Sequence, residues 1–253
     1  MITLAASYFK DSKDRELNFI KFKEYWKQYP VIIDIEICDQ FTPLMTVYNR
    51  LAKRCTTEYI AFIDIDVYFE YEQLEASMAA LKNNADFVNP FDKMYNVIDN
   101  TAYLQEKHDL HNNMKGNISF SRFVRTIGKN LNEEEKTQFD WNLDINWNTP
   151  FFVGLCVVTR LDTYFEFGMG NENFKVWGGA DDEWYARAET LGYKWINLPG
   201  SIYHHHHGKS NIKQKKLVRN NIIELYKSIC FSKEELTDYI STWPWITTHA
   251  SKQ

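Results

Sequence analysis

An uninterrupted apolar run that ends in two carboxylates constrains the fold of this chain more than any other feature. Residues 59–66 read YIAFIDID, so Asp64 and Asp66 are separated by a single residue. A β-rich run without polar alternation is typical of a parallel strand that is covered on both faces. Because ligands of open α/β sheets bind beyond the carboxyl ends of such strands, the run predicts an α/β fold with a binding site at these two aspartates.

The spacing of the two carboxylates favours a divalent cation, which in turn can hold a diphosphate. Side chains of a strand repeat every second residue. If the strand stays extended as far as Asp66, both carboxylates lie on the same side and can share one hard cation. The alternative interpretation is ordinary turn chemistry, because acidic residues commonly follow strands in solvated loops.

A second segment combines glycines with acids. Residues 177–183 read WGGADDE and precede an apolar pattern at helical spacing, which predicts a loop followed by a helix. Acids in a first helical turn are favoured by the helix dipole, so the dipole alone can account for them. Gly178 and Gly179 nevertheless permit a ligand to approach the backbone closely, and Trp177 offers an apolar face of the kind on which sugar rings pack.

A third segment is a run of histidines at residues 204–207. The run is internal and follows a Pro-Gly turn signal, which distinguishes it from a terminal tag. Neutral histidine is a common metal ligand, so a histidine loop late in the chain can complete a site begun by carboxylates far upstream. The alternative is a solvated polar loop.

Together the three segments resemble the metal-dependent glycosyltransferases of the GT-A fold, over most of the chain. The resemblance is to the group of β1,4-galactosyltransferases, polypeptide N-acetylgalactosaminyltransferases and bacterial chondroitin-type polymerases. It implies that Asp64 and Asp66 bind Mn²⁺, or Mg²⁺ as the alternative, together with the diphosphate of a nucleotide sugar, and Asp66 is the stronger candidate for direct metal contact. It implies His207 as the third protein ligand, with His204 and His206 as alternatives.

The same resemblance assigns Asp181 as the catalytic base of an inverting transfer. A strand near 151–160 carries Gly154 in the position of a glycine beside the donor sugar. The full set of candidates for substrate binding is Arg15, Asp64, Gly154, Trp177, Gly178, Gly179 and Asp182. The chain departs from the family at Ala180, where a glutamate is common, and this departure leaves the sugar specificity open.

The resemblance implies transfer of a hexose or N-acetylhexosamine, with galactose or GalNAc favoured, from a UDP-sugar to a hydroxyl of a glycan or glycolipid, as in polysaccharide biosynthesis. A retaining transferase of the same fold is one alternative. A nucleotidyltransferase is a second, although the chain lacks a glycine-rich phosphate loop near its first strand. A glycan-binding protein without catalysis is the third, and Ala180 is the only hint of it.

Composition predicts one domain over residues 1–253, because 44% hydrophobic and 25% charged residues are ordinary globular values. Within it we expect a nucleotide-binding half at 1–91, an acceptor-side insertion at 92–148, and an acceptor and catalytic half at 149–253. The net charge of −5 argues against a general nucleic-acid binder.

The cysteines, the apolar stretches and one basic stretch bear on the cellular location of the protein. The 4 cysteines are widely separated and show no Cys-x-x-Cys spacing, which indicates reduced core residues and a cytoplasmic protein. No stretch approaches the roughly 20 apolar residues that a membrane span needs. The basic stretch 209–219 is either a solvated helix face or a contact for donor phosphates or for the inner face of a membrane. Nothing in the sequence predicts an oligomeric state.

Alternating element types predict a Rossmann-like, mainly parallel sheet with helices on both faces. We expect strands near 2–8, 31–37, 59–65, 86–89 and 194–198. We expect helices near 14–28, 43–54, 71–83, 118–129, 213–229 and 232–240. The final Trp243-Pro244-Trp245 either packs on the domain or forms an aromatic platform for sugar.

Overall fold

A computed structural model describes most of the chain. The described residues are 1–39, 42–98, 101–104, 118–119, 146–147, 154–175, 178–207 and 215–246.

Strands and helices alternate through the first third of the described chain, as predicted. The strands are β1 (Ile2–Phe9), β2 (Val31–Cys38), β3 (Tyr59–Asp64), β4 (Val67–Tyr68), β5 (Phe87–Asn89), β6 (Lys93–Ile98), β7 (Thr101–Leu104), β8 (Ile118–Ser119), β9 (Asn146–Trp147), β10 (Cys156–Arg160), β11 (Trp195–Asn197) and β12 (Ser201–His205). The helices are α1 (Lys13–Trp26), α2 (Leu44–Arg54), α3 (Tyr71–Lys82), α4 (Leu161–Glu166), α5 (Ala180–Leu191), α6 (Lys215–Cys230) and α7 (Lys233–Ser241).

The central sheet has the strand order β11-β5-β10-β3-β1-β2. Strand β1 pairs in parallel with β2 and β3, and β11 pairs in parallel with β5. Strand β10 lies between β3 and β5 and is antiparallel to both. The predicted mainly parallel sheet is therefore confirmed, with one reversed strand that the sequence pattern did not reveal.

Helices cover both faces of this sheet because side chains along each strand alternate between the faces. Leu4 of β1 belongs to one core cluster together with Trp26 of α1. Its neighbour Ala5 belongs to the other cluster, together with Leu51 of α2 and Trp184 of α5. The continuous apolar character of the strands thus follows from burial on two sides.

A second sheet, with the order β4-β12-β6-β7, was not predicted. Two residues separate the buried strand β3 from strand β4, so the chain passes from one sheet to the other through Ile65 and Asp66. Strand β12 then pairs antiparallel with β4 and parallel with β6. This second sheet carries the beginning of the histidine run to the carboxyl end of β3.

The described parts settle one further expectation and cover a small part of the region 92–148. Trp243 and Trp245 are buried in the core that contains α5 and α7, so the packing interpretation of these tryptophans is confirmed. Of the region 92–148, strands β6 and β7 join the second sheet. The helix predicted near 118–129 lies outside the described residues, except that Ile118–Ser119 form the short strand β8.

The cysteines, the length of the helices and the basic stretch 209–219 bear on the cellular location of the protein. All 4 cysteines are free thiols, and Cys38 and Cys156 are buried. In the parts of the chain that the structure describes, no helix combines the length and apolar character that a membrane span requires. The basic stretch lies outside the described residues up to 214, and its remainder forms the first turn of α6.

Candidate metal and donor site

Asp66, His204 and His207 converge at the junction of the two sheets. One ligand atom from each of the three lies within 4.8 Å of the others. Nε2 of His207 is 3.4 Å from Oδ2 of Asp66, and Nε2 of His204 is 3.7 Å from Oδ1 of the same carboxylate. One oxygen and two nitrogen donors form a set that suits a borderline divalent cation.

Strand pairing accounts for this convergence. The backbone N–H of His205 donates to the carbonyl oxygen of Asp66 at 2.7 Å, and His204 is the register partner of Val67. His206 follows β12, and its backbone N–H donates to the carbonyl oxygen of Val97. The ring of His206 is exposed and does not belong to the cluster.

Asp66 itself shows that a cation fits here. The residue is 6% exposed, and Oδ1 of its carboxylate has no hydrogen-bond partner in the described part of the chain. Burying such an oxygen without compensation is costly, and a bound cation would compensate it. Burial also lowers the pKa of His204 despite the opposing effect of Asp66, which favours the neutral imidazole that metals require.

Two polar side chains contact the Nδ1 atoms of His204 and His207, the ring nitrogens that do not face Asp66. Oδ1 of Asn96, on β6, lies 3.2 Å from Nδ1 of His204. A guanidinium nitrogen of Arg15 lies 3.2 Å from Nδ1 of His207. The structure thus brings the predicted nucleotide residue Arg15 to the edge of the cluster. Sequence reasoning missed Asn96, because only the pairing of β6 with β12 reveals it.

Asp64 occupies a different position from Asp66. Strand β3 ends at Asp64 and a turn follows, so the extended backbone up to Asp66, on which the expectation of a shared side depends, is not present. Asp64 lies outside the three-residue cluster, and its role as a metal or diphosphate ligand remains a prediction. The hydroxyl of Tyr48 donates to Oδ1 of Asp64 at 3.4 Å. Loss of hydration, then the charges of Asp66 and Asp181, raise the pKa of Asp64.

Asp181 lies in the first turn of α5, which begins after Gly179 in a left-handed conformation with φ of 81°. Burial, and secondarily the neighbouring charge of Asp182, raises the pKa of Asp181 from 3.8 to about 7. A carboxylate with a pKa near the working pH can accept a proton efficiently. The residue therefore has the electrostatic properties of a general base.

Gly154 lies directly against this carboxylate. A Cβ atom added at Gly154 would be 2.6 Å from Oδ2 of Asp181, which is closer than real Cβ contacts allow. The next residue, Leu155, has φ of 69°, and the N–H of Cys156 donates to the carbonyl oxygen of Gly154 at 2.8 Å. This pattern is a γ-turn of the strained kind, and such strain is concentrated at functional sites. The carbonyl oxygen of Leu155 also accepts from the N–H of Asp64.

The other residues of the glycine-rich segment are placed as follows. Gly178 has φ of 111°, and a Cβ at this position would meet no heavy atom within 4 Å. Asn221 of α6 donates to the carbonyl oxygen of Gly178 at 2.8 Å. Trp177 lies outside the described residues, and the substrate roles of Gly178, Gly179 and Asp182 remain predictions.

Glu183, the third acid of the first turn, has a structural environment. Its side chain is fully buried and pairs with Arg187 at 2.8 Å. The hydroxyl of Ser228, on α6, donates to Oε1 of Glu183 at 2.9 Å, the same oxygen that faces Nε of Arg187. The structural interpretation of the acidic turn therefore applies to Glu183, whereas Asp181 faces Gly154.

No protein-family model and no curated protein sequence matches the chain. Solved structures do match. One is a structure of GalNAc-T7 with UDP, GalNAc and Mn²⁺, at 13% identity and a TM-score of 0.55, which covers 99% of this chain and 54% of that chain. Another is a Drosophila β1,4-galactosyltransferase 7 mutant in complex with manganese, UDP-Gal and xylobiose, at 14% identity and a TM-score of 0.50, which covers 86% of this chain and 79% of that chain.

This chain spans about half the length of the GalNAc-T7 structure. At such low identity the likeness concerns the fold and not the activity. The predicted fold class is confirmed by both matches together with the observed sheet and its two helical layers. The chain has the GT-A fold of these glycosyltransferases.

Proposed function

We propose that the chain is a metal-dependent glycosyltransferase that moves a galactose-type or GalNAc-type sugar from a UDP-sugar to a hydroxyl of a glycan or glycolipid, with inversion. The observation that carries this proposal is the convergence of Asp66, His204 and His207 at the end of β3, in a GT-A fold. The charges of Asp66 and Asp181 both raise the pKa of Asp64. A cation site and a raised-pKa carboxylate are the two elements that such a transfer needs.

Mn²⁺ is the proposed cation. The donor set of one carboxylate and two imidazoles favours it over Mg²⁺, which prefers oxygen ligands and keeps its waters. Oδ1 of buried Asp66, which has no hydrogen-bond partner within the described ranges, supports a cation at this point. When bound, such a cation stabilises the charge that develops on the departing diphosphate. Asp64 is proposed to bind the cation together with the diphosphate of the donor.

Asp181 is proposed as the base. In the transfer, the bond from the anomeric carbon to the diphosphate oxygen breaks and a bond to the acceptor oxygen forms. The acceptor hydroxyl gives its proton to the carboxylate of Asp181, and the bonding electrons leave with UDP. The absence of a side chain at Gly154 keeps Oδ2 of Asp181 accessible, because any Cβ there would displace it.

The remaining assignments belong to the same proposal. Arg15 would bind the nucleotide, and Trp177, Gly178, Gly179 and Asp182 would contact the sugars. We retain one domain for residues 1–253, with the acceptor contacted by the 92–148 region. A cytoplasmic location with attachment to a membrane surface through 209–219 also remains a proposal.

The test is a screen of UDP-sugars for Mn²⁺-dependent hydrolysis and transfer. We expect turnover with a UDP-hexose or UDP-N-acetylhexosamine, loss with a chelator, and loss in both Asp66→Ala and Asp181→Asn. Full activity in both variants would contradict the mechanism. The anomeric configuration of the product separates inversion from retention. Pyrophosphate release from a nucleoside triphosphate would instead show a nucleotidyltransferase.

A further inference from the structure

We propose that Asn96 is a positioning residue of the cation site. It holds His204 in the tautomer that binds a cation, so that Asp66 and His204 bind the cation first and His207 joins afterwards. This inference rests on the metal-dependent function proposed above. It assigns the order of ligands within the site and adds a residue that the sequence motifs do not contain.

The first step of the argument is the proton on His204. Nδ1 of its ring lies 3.2 Å from Oδ1 of Asn96. An amide oxygen only accepts hydrogen bonds, so Nδ1 of His204 must carry the hydrogen. In the neutral ring the other nitrogen, Nε2, then presents a lone pair. Metal-binding histidines characteristically donate their outer N–H to such an acceptor, which fixes the tautomer and the ring orientation.

The second step is what that lone pair faces. Nε2 of His204 is 3.7 Å from Oδ1 of Asp66, the buried oxygen without a hydrogen-bond partner among the described residues. With the hydrogen held at Nδ1, no proton lies between the nitrogen and the oxygen. Two lone pairs therefore face each other in a buried position, and a cation between them removes their mutual repulsion.

The third step is the contrast with His207. Nδ1 of this ring lies 3.2 Å from a guanidinium nitrogen of Arg15, which can only donate. Nδ1 of His207 must therefore accept, and the hydrogen of the neutral ring lies on Nε2. Nε2 is 3.4 Å from Oδ2 of Asp66, so that hydrogen points toward the carboxylate and occupies the direction from which a cation would bind. His207 becomes a ligand only after Arg15 leaves its ring.

The fold supports the same order. Asp66 immediately precedes β4, His204 is part of β12, and Asn96 is the register partner of His204 on β6. His204 and Asn96 thus lie on neighbouring strands of one sheet, and Asp66 lies in the turn directly before a third strand of it. His207 follows the end of β12. Ligands placed on paired strands are more rigidly oriented than ligands on a loop.

The first experiment measures Mn²⁺ affinity by electron paramagnetic resonance, without nucleotide. We expect Asn96→Leu to weaken binding by about 10- to 100-fold, the range found for outer partners of metal-binding histidines. Asn96→Asp keeps an acceptor oxygen and should retain the affinity. His204→Ala should weaken binding more than His207→Ala does. His205→Ala is the matched control, because the ring of His205 makes an edge-to-face contact with Tyr68 and lies outside the cluster.

A second experiment reads the tautomers directly in the cation-free protein. Imidazole ¹⁵N chemical shifts at a pH where both rings are neutral should show the hydrogen on Nδ1 of His204 and on Nε2 of His207. Asn96→Leu should abolish the preference at His204. This readout does not depend on how well that variant binds metal, and the melting temperature without cation reports whether the variant folds.

The outcomes separate the two proposals. If the wild-type protein binds no Mn²⁺, the metal-dependent function fails. If it binds Mn²⁺ but His207→Ala is the more damaging change, or His204 carries its hydrogen on Nε2, only the present inference is overturned. Equal affinities of wild type and folded Asn96→Leu would overturn it as well.

Discussion

The carboxylates of Asp66 and Asp181 differ in what surrounds them. Asp66 faces two imidazoles, and one of its oxygens has no hydrogen bond among the described residues. Asp181 lies against the bare Cα of Gly154, and burial raises its pKa to about 7. The first environment favours a cation and the second favours a proton. Identical side chains thus receive different proposed roles from their neighbours.

Replacement of Asp181 by Asn should abolish transfer yet stabilise the protein at alkaline pH. The folded state raises the pKa of this carboxyl from 3.8 to about 7, so the wild type loses stability as pH rises through this window. Asn does not ionise and avoids that loss. Each pKa unit corresponds to about 1.4 kcal/mol, and partial exposure of the side chain reduces the total to about 1–3 kcal/mol.

Urea denaturation of Asp181→Asn and wild type at pH values on either side of this window measures the effect. The advantage of the variant should be present above the folded pKa and absent below the unfolded one. A constant difference at all pH values would contradict the assigned pKa. Mn²⁺ binding by the variant should be retained, which distinguishes loss of the base from loss of the cation site.

Gly154→Ala should lower the turnover number by displacing the carboxylate of Asp181, with Mn²⁺ affinity unchanged. The added methyl group would lie 2.6 Å from Oδ2 of Asp181. Gly192→Ala is a suitable control, because Gly192 has φ of 87° and lies at the opposite end of α5. The Gly192→Ala substitution should lower the free energy of unfolding by about 1 kcal/mol without a comparable loss of turnover. Equal turnover losses in both variants would indicate a general effect of strain.

At the scale of elements, helix α5 presents Asp181 because its buried side is fixed to its neighbours. Glu183 and Arg187 form a buried ion pair, and Arg187 also donates to the carbonyl oxygens of Phe167 and Met169. Ser228 of α6 donates to Glu183. These contacts pair the two buried charges with each other and hold the first turn of α5, with its proposed base, against its neighbours.

Arg187→Met should therefore destabilise the protein by about 3–5 kcal/mol, because it leaves the charge of Glu183 buried without a partner. The double variant Glu183→Leu/Arg187→Met removes both charges. Its free energy of unfolding should fall by less than that of Arg187→Met alone. Chemical denaturation of the two single variants and the double variant gives the coupling energy. A double variant as unstable as the sum of the singles would show that the pair is not coupled.

At the scale of the whole molecule, the proposed cation site lies where the two sheets meet. Asp66 lies in the turn between β3 of the central sheet and β4 of the second sheet, and His204 belongs to β12 of the second sheet. A ligand that binds only when these strands are assembled must favour the folded state. Binding of the proposed cation would therefore be coupled to folding.

Mn²⁺ at about 100 times its dissociation constant should add about 2.7 kcal/mol to the free energy of unfolding. For a chain of this size that corresponds to a rise in melting temperature of about 5–10 °C. Differential scanning calorimetry with Mn²⁺ and then with excess chelator measures the rise and its reversal. Asp66→Ala should show no rise, whereas Glu75→Ala, which alters an exposed carboxylate on α3, should respond as the wild type does. A rise retained in Asp66→Ala would place the cation elsewhere.

Local patterns were sufficient for much of the fold and for some of the site. The apolar run of β3 predicted a strand buried on both faces, and the alternation of elements predicted the mainly parallel sheet. Asp66 and His207 were singled out from sequence and lie together. The order of β10 in the sheet and the second sheet were not predicted, because strand direction and pairing depend on contacts between residues distant in sequence.

The sequence by itself determined the strands of the central sheet and most of the helices, and it determined which side chains have the chemistry for a cation and a proton. Periodicity and turn residues act over a few positions, so they can be recognised along the chain. Only the tertiary structure decided that Asp64 lies outside the cluster of Asp66 and the histidines, and that Asn96 contacts His204. Those relations arise from the turn after β3 and the register of β12 against β4 and β6, which are fixed by packing across the whole fold.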